Sequence, residues 1–166
     1  MRVLVVSDTH GPFRWRGAPP ALAAALASGP DLILHAGDVC RPDVLDELSQ
    51  YAPVRVVLGN NDPSEVAAWG ATPMFTGSLE GLAVAMIHDA GDRAGRAARM
   101  HRMFPEAGLV VFGHSHTPMN ECDAKTGIHL FNPGSPTDPR REPFGTFGLL
   151  RIEDGVLVSA GLRRAD

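Results

Sequence analysis

The chain has 166 residues, 44% of them hydrophobic and 20% charged, which is the length and balance of one ordinary globular domain. Such a domain hides roughly two thirds of the surface its unfolded form exposes, so residues 1–166 are read as a single domain needing no disulfide or structural metal to fold. A net charge of −4 excludes the large basic excess with which binders of extended nucleic acid displace counterions. No apolar run approaches the ~20 residues of a membrane span, and the opening Met1-Arg-Val-Leu-Val-Val6 is too short for a secretory leader. Cys40 and Cys122 lie far apart and outside any C-x-x-C pair, so a soluble, cytoplasmic protein is expected rather than a disulfide framework.

Residues 3–6 read as a first strand. Residues 19–27 read as a helix, with proline tolerated in its first turn and Gly29-Pro30 ending it. A strand at 31–35, helical spacing at 43–50 and a β-branched strand at 53–58 follow, an alternation that points to an α/β sheet covered on both faces. Beyond Pro63 a short helix at 64–69 precedes strands at 74–79 and 82–87, joined as a hairpin at Glu80-Gly81. A helix at 93–104 leads to a strand at 109–112, and the tail gives strands near 128–132, 144–152 and 156–160, with Asp154-Gly155 as a second hairpin turn. The sum is two mixed sheets with outer helices.

Polar residues follow the strands in a regular way. The first strand runs into Asp8-x-His10, the second into Gly37-Asp38, the third into Gly59-Asn60-Asn61-Asp62, the fifth into His88, and the strand at 109–112 into Gly113-His114-x-His116. Loops at the carboxyl ends of strands in open α/β sheets converge on one crevice, and residues at i and i+2 of an extended segment face the same side. A lone His88 or His114 is more often a hydrogen-bonded core histidine than a ligand; five strand ends that each supply a suitable donor reverse that preference. Imidazole with carboxylate is the ligand set of zinc, iron, manganese or nickel, and the donors are too many for one tetrahedral ion. Two ions sharing a carboxylate, about 3.5 Å apart, suit in-line displacement at phosphorus.

In this order the motifs resemble those of the calcineurin-like metallophosphoesterases, particularly their small single-domain bacterial and archaeal phosphodiesterases, and Asn132-Pro133-Gly134-Ser135 is similar to the family's late turn. The resemblance implies a four-layer α/β/β/α sandwich. It implies that Asp8, His10 and His116 hold one divalent ion, that Asn60, His88 and His114 hold a second, and that Asp38 bridges them; manganese is the first expectation, with zinc, iron or nickel as alternatives. The implied reaction is hydrolysis of small phosphodiesters by in-line attack of a hydroxide held between the ions, with His114 also touching a phosphoryl oxygen. The alternatives are a phosphomonoesterase, a nucleotide pyrophosphatase, or a non-catalytic protein-binding scaffold on the same fold. The expected partner is a small phosphate-ester substrate, without extended nucleic acid or membrane, and a homo-oligomer is compatible with the sequence.

Two positions depart from the family pattern. Asn61 stands where many members carry a histidine that protonates the leaving group, and an amide is no acid at neutral pH; Asp62, a water or the substrate would then supply the proton. Asp89 follows His88 where glycine is common. Arg93, Arg96, Arg99 and Arg102 recur every three residues, the spacing of a solvated helix face, with a phosphate clamp at Arg93 or Arg96 as the sharper alternative. Arg140 and Arg141 in a proline-rich loop either cap the site or face water, and His35 either orients a ligand or simply packs.

Overall fold

The computed structural model describes all 166 residues. In chain order the elements are β1 (Arg2–Val6), α1 (Pro20–Ala27), β2 (Leu32–His35), α2 (Pro42–Ser49), β3 (Val54–Val56), α3 (Ser64–Trp69), β4 (Met74–Leu79), β5 (Leu82–Ile87), α4 (Arg96–Met103), β6 (Leu109–Val111), β7 (Met119–Cys122), β8 (His129–Asn132), β9 (Thr146–Glu153) and β10 (Val156–Arg164). One five-stranded sheet has the order β10-β9-β1-β2-β3 and the other β4-β5-β6-β8-β7. Both are mixed: β1, β2 and β3 run parallel, as do β5, β6 and β8, while β9, β10, β4 and β7 pair antiparallel with their neighbours.

Strand alternation builds the layers. Leu4, Val6 and Ile33 pack with Leu22, Leu26, Leu45, Leu48 and Val66 of the first three helices. Their neighbours Val3, Val5, Leu32 and Leu34 leave the opposite face and meet Met86, Leu109, Val111 and Phe131 of the second sheet, as a period of two requires. Val110, Phe112 and Leu130 then pack outward on Met100 of α4 and on Phe104 just past its end. Helix, sheet, sheet and helix are thus separated by three cores, which is the expected sandwich.

The turns Glu80-Gly81 and Asp154-Gly155 both have left-handed backbone at each residue, the conformation that two-residue hairpins require. Most element ends fall within one or two residues of expectation, and three features depart further. Helix α4 starts at Arg96 instead of 93, because Gly95 holds a left-handed φ of 70°. Strand β7, Met-Asn-Glu-Cys, escapes a hydrophobic pattern because it is a largely exposed edge strand. Strand β10 continues to Arg164 past a bulge between Leu157 and Ser159, which keeps the pairing going across polar sequence.

Candidate metal centre

The loops after β1 and β2 continue to pair after the strands end: Asp8 N–H donates to Gly37 O at 2.9 Å and His10 N–H to Asp38 O at 3.0 Å. The sequence suggests extended backbone for Asp8-x-His10 and His114-x-His116. The structure instead puts Asp8, His10, Asp38, His114 and His116 in the left-handed region, with φ of 55°, 48°, 57°, 66° and 58°. Each such residue costs on the order of 1–3 kcal/mol unless its surroundings hold it, and clusters of them mark functional sites. Two glycines make room for the carboxylates. A Cβ on Gly59 would stand 2.1 Å from Asp38 Oδ1, and one on Gly113 would stand 1.9 Å from Ser7 Oγ and 2.7 Å from Asp8 Oδ2.

Two groups of donors result. In the first, His116 Nε2 lies 3.4 Å from Asp8 Oδ1 and 3.2 Å from His10 Nε2. In the second, His88 Nε2 lies 3.2 Å from Asn60 Oδ1 and 3.3 Å from His114 Nδ1, and that Nδ1 is 2.9 Å from Asn60 Oδ1. Between the groups stands Asp38, whose Oδ2 is 3.8 Å from His10 Nε2 and 3.5 Å from His88 Nε2. Ligand atoms of Asp8, His10 and His116 all fall within 4.8 Å of one another, as do those of Asp8, Asp38 and His88. All seven residues from the sequence reading therefore meet at one rim.

Asp8 Oδ1 supplies the test of fit. It is fully buried and has no hydrogen-bond partner, whereas buried carboxylate oxygens are almost always paired. A cation held with His10 and His116 would satisfy it, and nitrogen–oxygen sets of this kind suit divalent transition metals. The far sides of the rings support the same orientation. His88 Nδ1–H donates to Ala36 O at 2.7 Å, His116 Nδ1–H donates to Asp138 O, His10 Nδ1 faces Cys40 Sγ at 3.4 Å, and His114 Nε2 faces Asp89 Oδ2 at 3.9 Å. For His88 and His116, fixing Nδ1 in this way aims the Nε2 lone pair inward.

The titratable groups of the site shift in both directions. Burial raises the Asp8 carboxyl from its ordinary 3.8 to about 7, against the Ser7 hydroxyl and His88, which lower it. Burial also pushes Asp38 upward, but hydrogen bonds from His88 and Asn61 win and hold it below the usual carboxylate range. Burial lowers His10 and His116, favouring the neutral rings that bind metal. His88 is raised, because Asp38 and Asp8 outweigh its burial. Cys40 is pushed up to about 12 by burial and by the charges of Asp62, Asp38 and Asp8, so it stays a thiol.

Several supporting residues carry no motif that a single sequence reveals. Ser7 Oγ–H donates to Asp8 Oδ2 at 2.6 Å. Ser135 Oγ–H donates to Asp8 O at 2.7 Å, and Thr137 Oγ1–H donates to Thr9 O at 2.9 Å, so the loop after β8 clamps the first loop from behind. His35 is buried; its Nδ1 accepts Gly37 N–H and its Nε2 lies 3.0 Å from Thr9 Oγ1, which makes it an orienting residue. Asp62, read from the sequence as a proton source, accepts backbone N–H groups of Cys40, Asp38 and Gly59 at 2.7, 3.0 and 2.7 Å. Those bonds tie the second loop to the third. Arg93 pairs with Glu121 at 2.8 Å, while Arg96 and Arg99 donate to carbonyls of Gly91, Ala90 and Asp92. Arg96 and Arg99 thereby staple the 90–92 loop, and Arg93 and Arg96 line a cavity that also borders His114.

Comparison with known proteins gives a consistent picture. Residues 1–155 match the model of the calcineurin-like phosphoesterase superfamily domain. A "Probable metallophosphoesterase" of Methanothermobacter thermautotrophicus is 36% identical over 167 residues, covering 99% of this chain and 92% of that one. Another from Mycoplasma pneumoniae is 30% identical over 93% of this chain and 91% of its own. Among solved structures, Vps29 of Entamoeba histolytica complexed with zinc is 25% identical with a TM-score of 0.78, covering 99% of this chain and 98% of that one. An archaeal phosphodiesterase superposes with a TM-score of 0.75 at 18% identity over 99% of both chains, a likeness of fold.

Proposed function

The chain belongs to the calcineurin-like phosphoesterase superfamily, and on that premise we propose that it is a dinuclear metal-dependent phosphodiesterase acting on small phosphodiesters by in-line attack at phosphorus. The observation that carries this reading is Asp38 Oδ2 standing between two donor groups, 3.8 Å from His10 Nε2 and 3.5 Å from His88 Nε2. Asp8, His10, Asp38 and His116 would hold one ion, and Asp38, Asn60, His88 and His114 the other, with manganese the first candidate. When bound, two such ions lower the pKa of water towards neutrality and stabilise charge on the transferring phosphoryl group. The chain's own part is positional. His114, half-exposed at the mouth, is poised to donate to a phosphoryl oxygen. Asn61 and Asp62 fix the Asp38 loop, Asn61 with an amide that is no acid at neutral pH and Asp62 with both carboxylate oxygens engaged by backbone N–H groups, so the reaction favours good leaving groups.

A metal-by-substrate screen tests this: bis-aryl phosphates, phosphomonoesters and nucleoside pyrophosphates, each with manganese, zinc, iron and nickel. Diester turnover above the other classes supports the reading, and monoester or pyrophosphate turnover above diesters replaces it. Likeness to Vps29 proteins, named for vacuolar protein sorting, favours a second reading as a protein-binding scaffold. Metal content alone does not separate the two, since one Vps29 was solved with zinc; absence of turnover with every metal would favour the scaffold.

A further inference from the structure

We propose that the His10 side of the metal centre carries a subsite for an aromatic ring attached to the phosphate ester, with Phe13 as its stacking platform. Phe13 is 85% exposed, whereas every other phenylalanine is buried or half-buried. A single exposed apolar side chain is ordinary on a protein surface; its placement distinguishes this one. It lines a 450 Å³ cavity together with His10, Cys40, Arg41 and Asn61. That volume lies within the range of small-molecule sites. One wall is the His10 ring and another is Asn61, which holds Asp38, so a ring lying on Phe13 would be within reach of a phosphorus at the donor cluster. The loop is anchored on both sides of Phe13, by Gly11 N–H to Val39 O at 2.9 Å and Arg14 N–H to His10 O at 3.0 Å.

Charge around the centre supports the same direction. On the His10 and His116 side, Arg14 and Arg140 share the single carboxylate of Asp138, at 3.8 and 3.9 Å. On the His114 side, a smaller cavity of 270 Å³ is lined by Asp89 and Asp92 together with Arg93 and Arg96, of which Arg93 pairs with Glu121 and Arg96 donates to Gly91 O. Two guanidinium groups against one carboxylate favour an anionic ester on the His10 side. Aromatic stacking on Phe13 would then select aryl or nucleoside esters over alkyl ones.

The reaction rests on the phosphodiesterase reading, whereas the binding does not, so binding is measured first. The manganese-loaded full chain is titrated calorimetrically with AMP, phenyl phosphate and methyl phosphate, as wild type, Phe13→Ala and Phe13→Trp. The wild type is expected to bind the two aromatic phosphates about 5-fold or more tighter than methyl phosphate. Phe13→Ala is expected to cancel that preference, and Phe13→Trp to keep it, with methyl phosphate affinity the same in all three proteins. AMP binding above phenyl phosphate identifies a nucleoside ligand, and parity identifies a simple aryl group. In turnover of aryl diesters, Phe13→Ala should raise KM and leave kcat unchanged. No preference for the ring, a preference that survives Phe13→Ala, or no binding of any phosphate overturns the proposal. An intact ring preference without hydrolysis of any ester contradicts the proposed activity alone.

Discussion

Asn61 donates twice to Asp38: its backbone N–H reaches Oδ1 at 2.9 Å and its side-chain amide reaches Oδ2 at 2.7 Å. The second of these oxygens is the one that faces both His10 and His88. A residue that sits where many relatives carry an acid therefore orients the carboxylate between the two donor groups, and it offers no ionisable proton.

Asn61→Ala should weaken metal affinity by about 10–100-fold, the usual cost of losing a partner that orients a ligand. Competition with a chelator measures it. In the wild type, aryl diesters should turn over faster than alkyl diesters, because an aryloxide leaves without protonation. Equal rates for the two would mean that an acid acts at the leaving oxygen.

Asp62 separates a positioning role from an acidic one. Its three backbone N–H partners predict that Asp62→Asn lowers thermal stability and metal affinity, because one amide N–H group would then face a donor, at a cost of about 1–3 kcal/mol. Rates on aryl and alkyl esters should fall by the same factor. A loss confined to alkyl esters would identify Asp62 as the proton source.

Asp8 makes the metal-free protein sensitive to alkali. Its carboxyl is raised to about 7, above the unfolded value near 3.9, so between these values the native chain keeps a proton that the unfolded chain has released. Stability contributed by Asp8 thus falls as pH rises from about 4 to about 7. Asp8→Asn should raise the Tm of chelator-treated protein by about 5 °C or more at pH 8, with a gain that shrinks towards pH 4. Excess manganese should reverse the order, since it stabilises only the chain that binds it.

His35 behaves oppositely. Burial, helped by His88, lowers its ring to about 3, so its contribution is fully present above the unfolded value near 6.5 and is lost as pH falls towards 3. The His35 ring signals in an NMR titration should remain those of a neutral imidazole at pH 5. Protonation of this ring near pH 6.5 would show that the Gly37 and Thr9 contacts do not hold it.

Much of this was legible in the sequence, for local reasons. Residues 3–6, 32–34 and 109–112 are apolar on both faces and lead into donors, and the pairs Glu80-Gly81 and Asp154-Gly155 fix their own turns, so both sheets and the rim follow from short stretches. What depends on distant partners was hidden. Ser135 showed only as the end of a turn similar to the family's, whereas its reach to Asp8 O, like that of Thr137 to Thr9 O, spans the fold and leaves no local pattern. Asp62 reads as an acid in sequence, and only the approach of the Asp38 loop turns it into a backbone clamp. The i, i+2 spacing of the paired ligands was visible, but their left-handed backbone was not, since that conformation is imposed by neighbouring loops.

If seven side chains from separate loops form one cage for two cations, anomalous diffraction from crystals grown with excess manganese will locate both ions. Two peaks about 3.5 Å apart are predicted, one among Asp8, His10 and His116, the other among Asn60, His88 and His114, with Asp38 between them. A single peak, or none within reach of these atoms, would contradict the account.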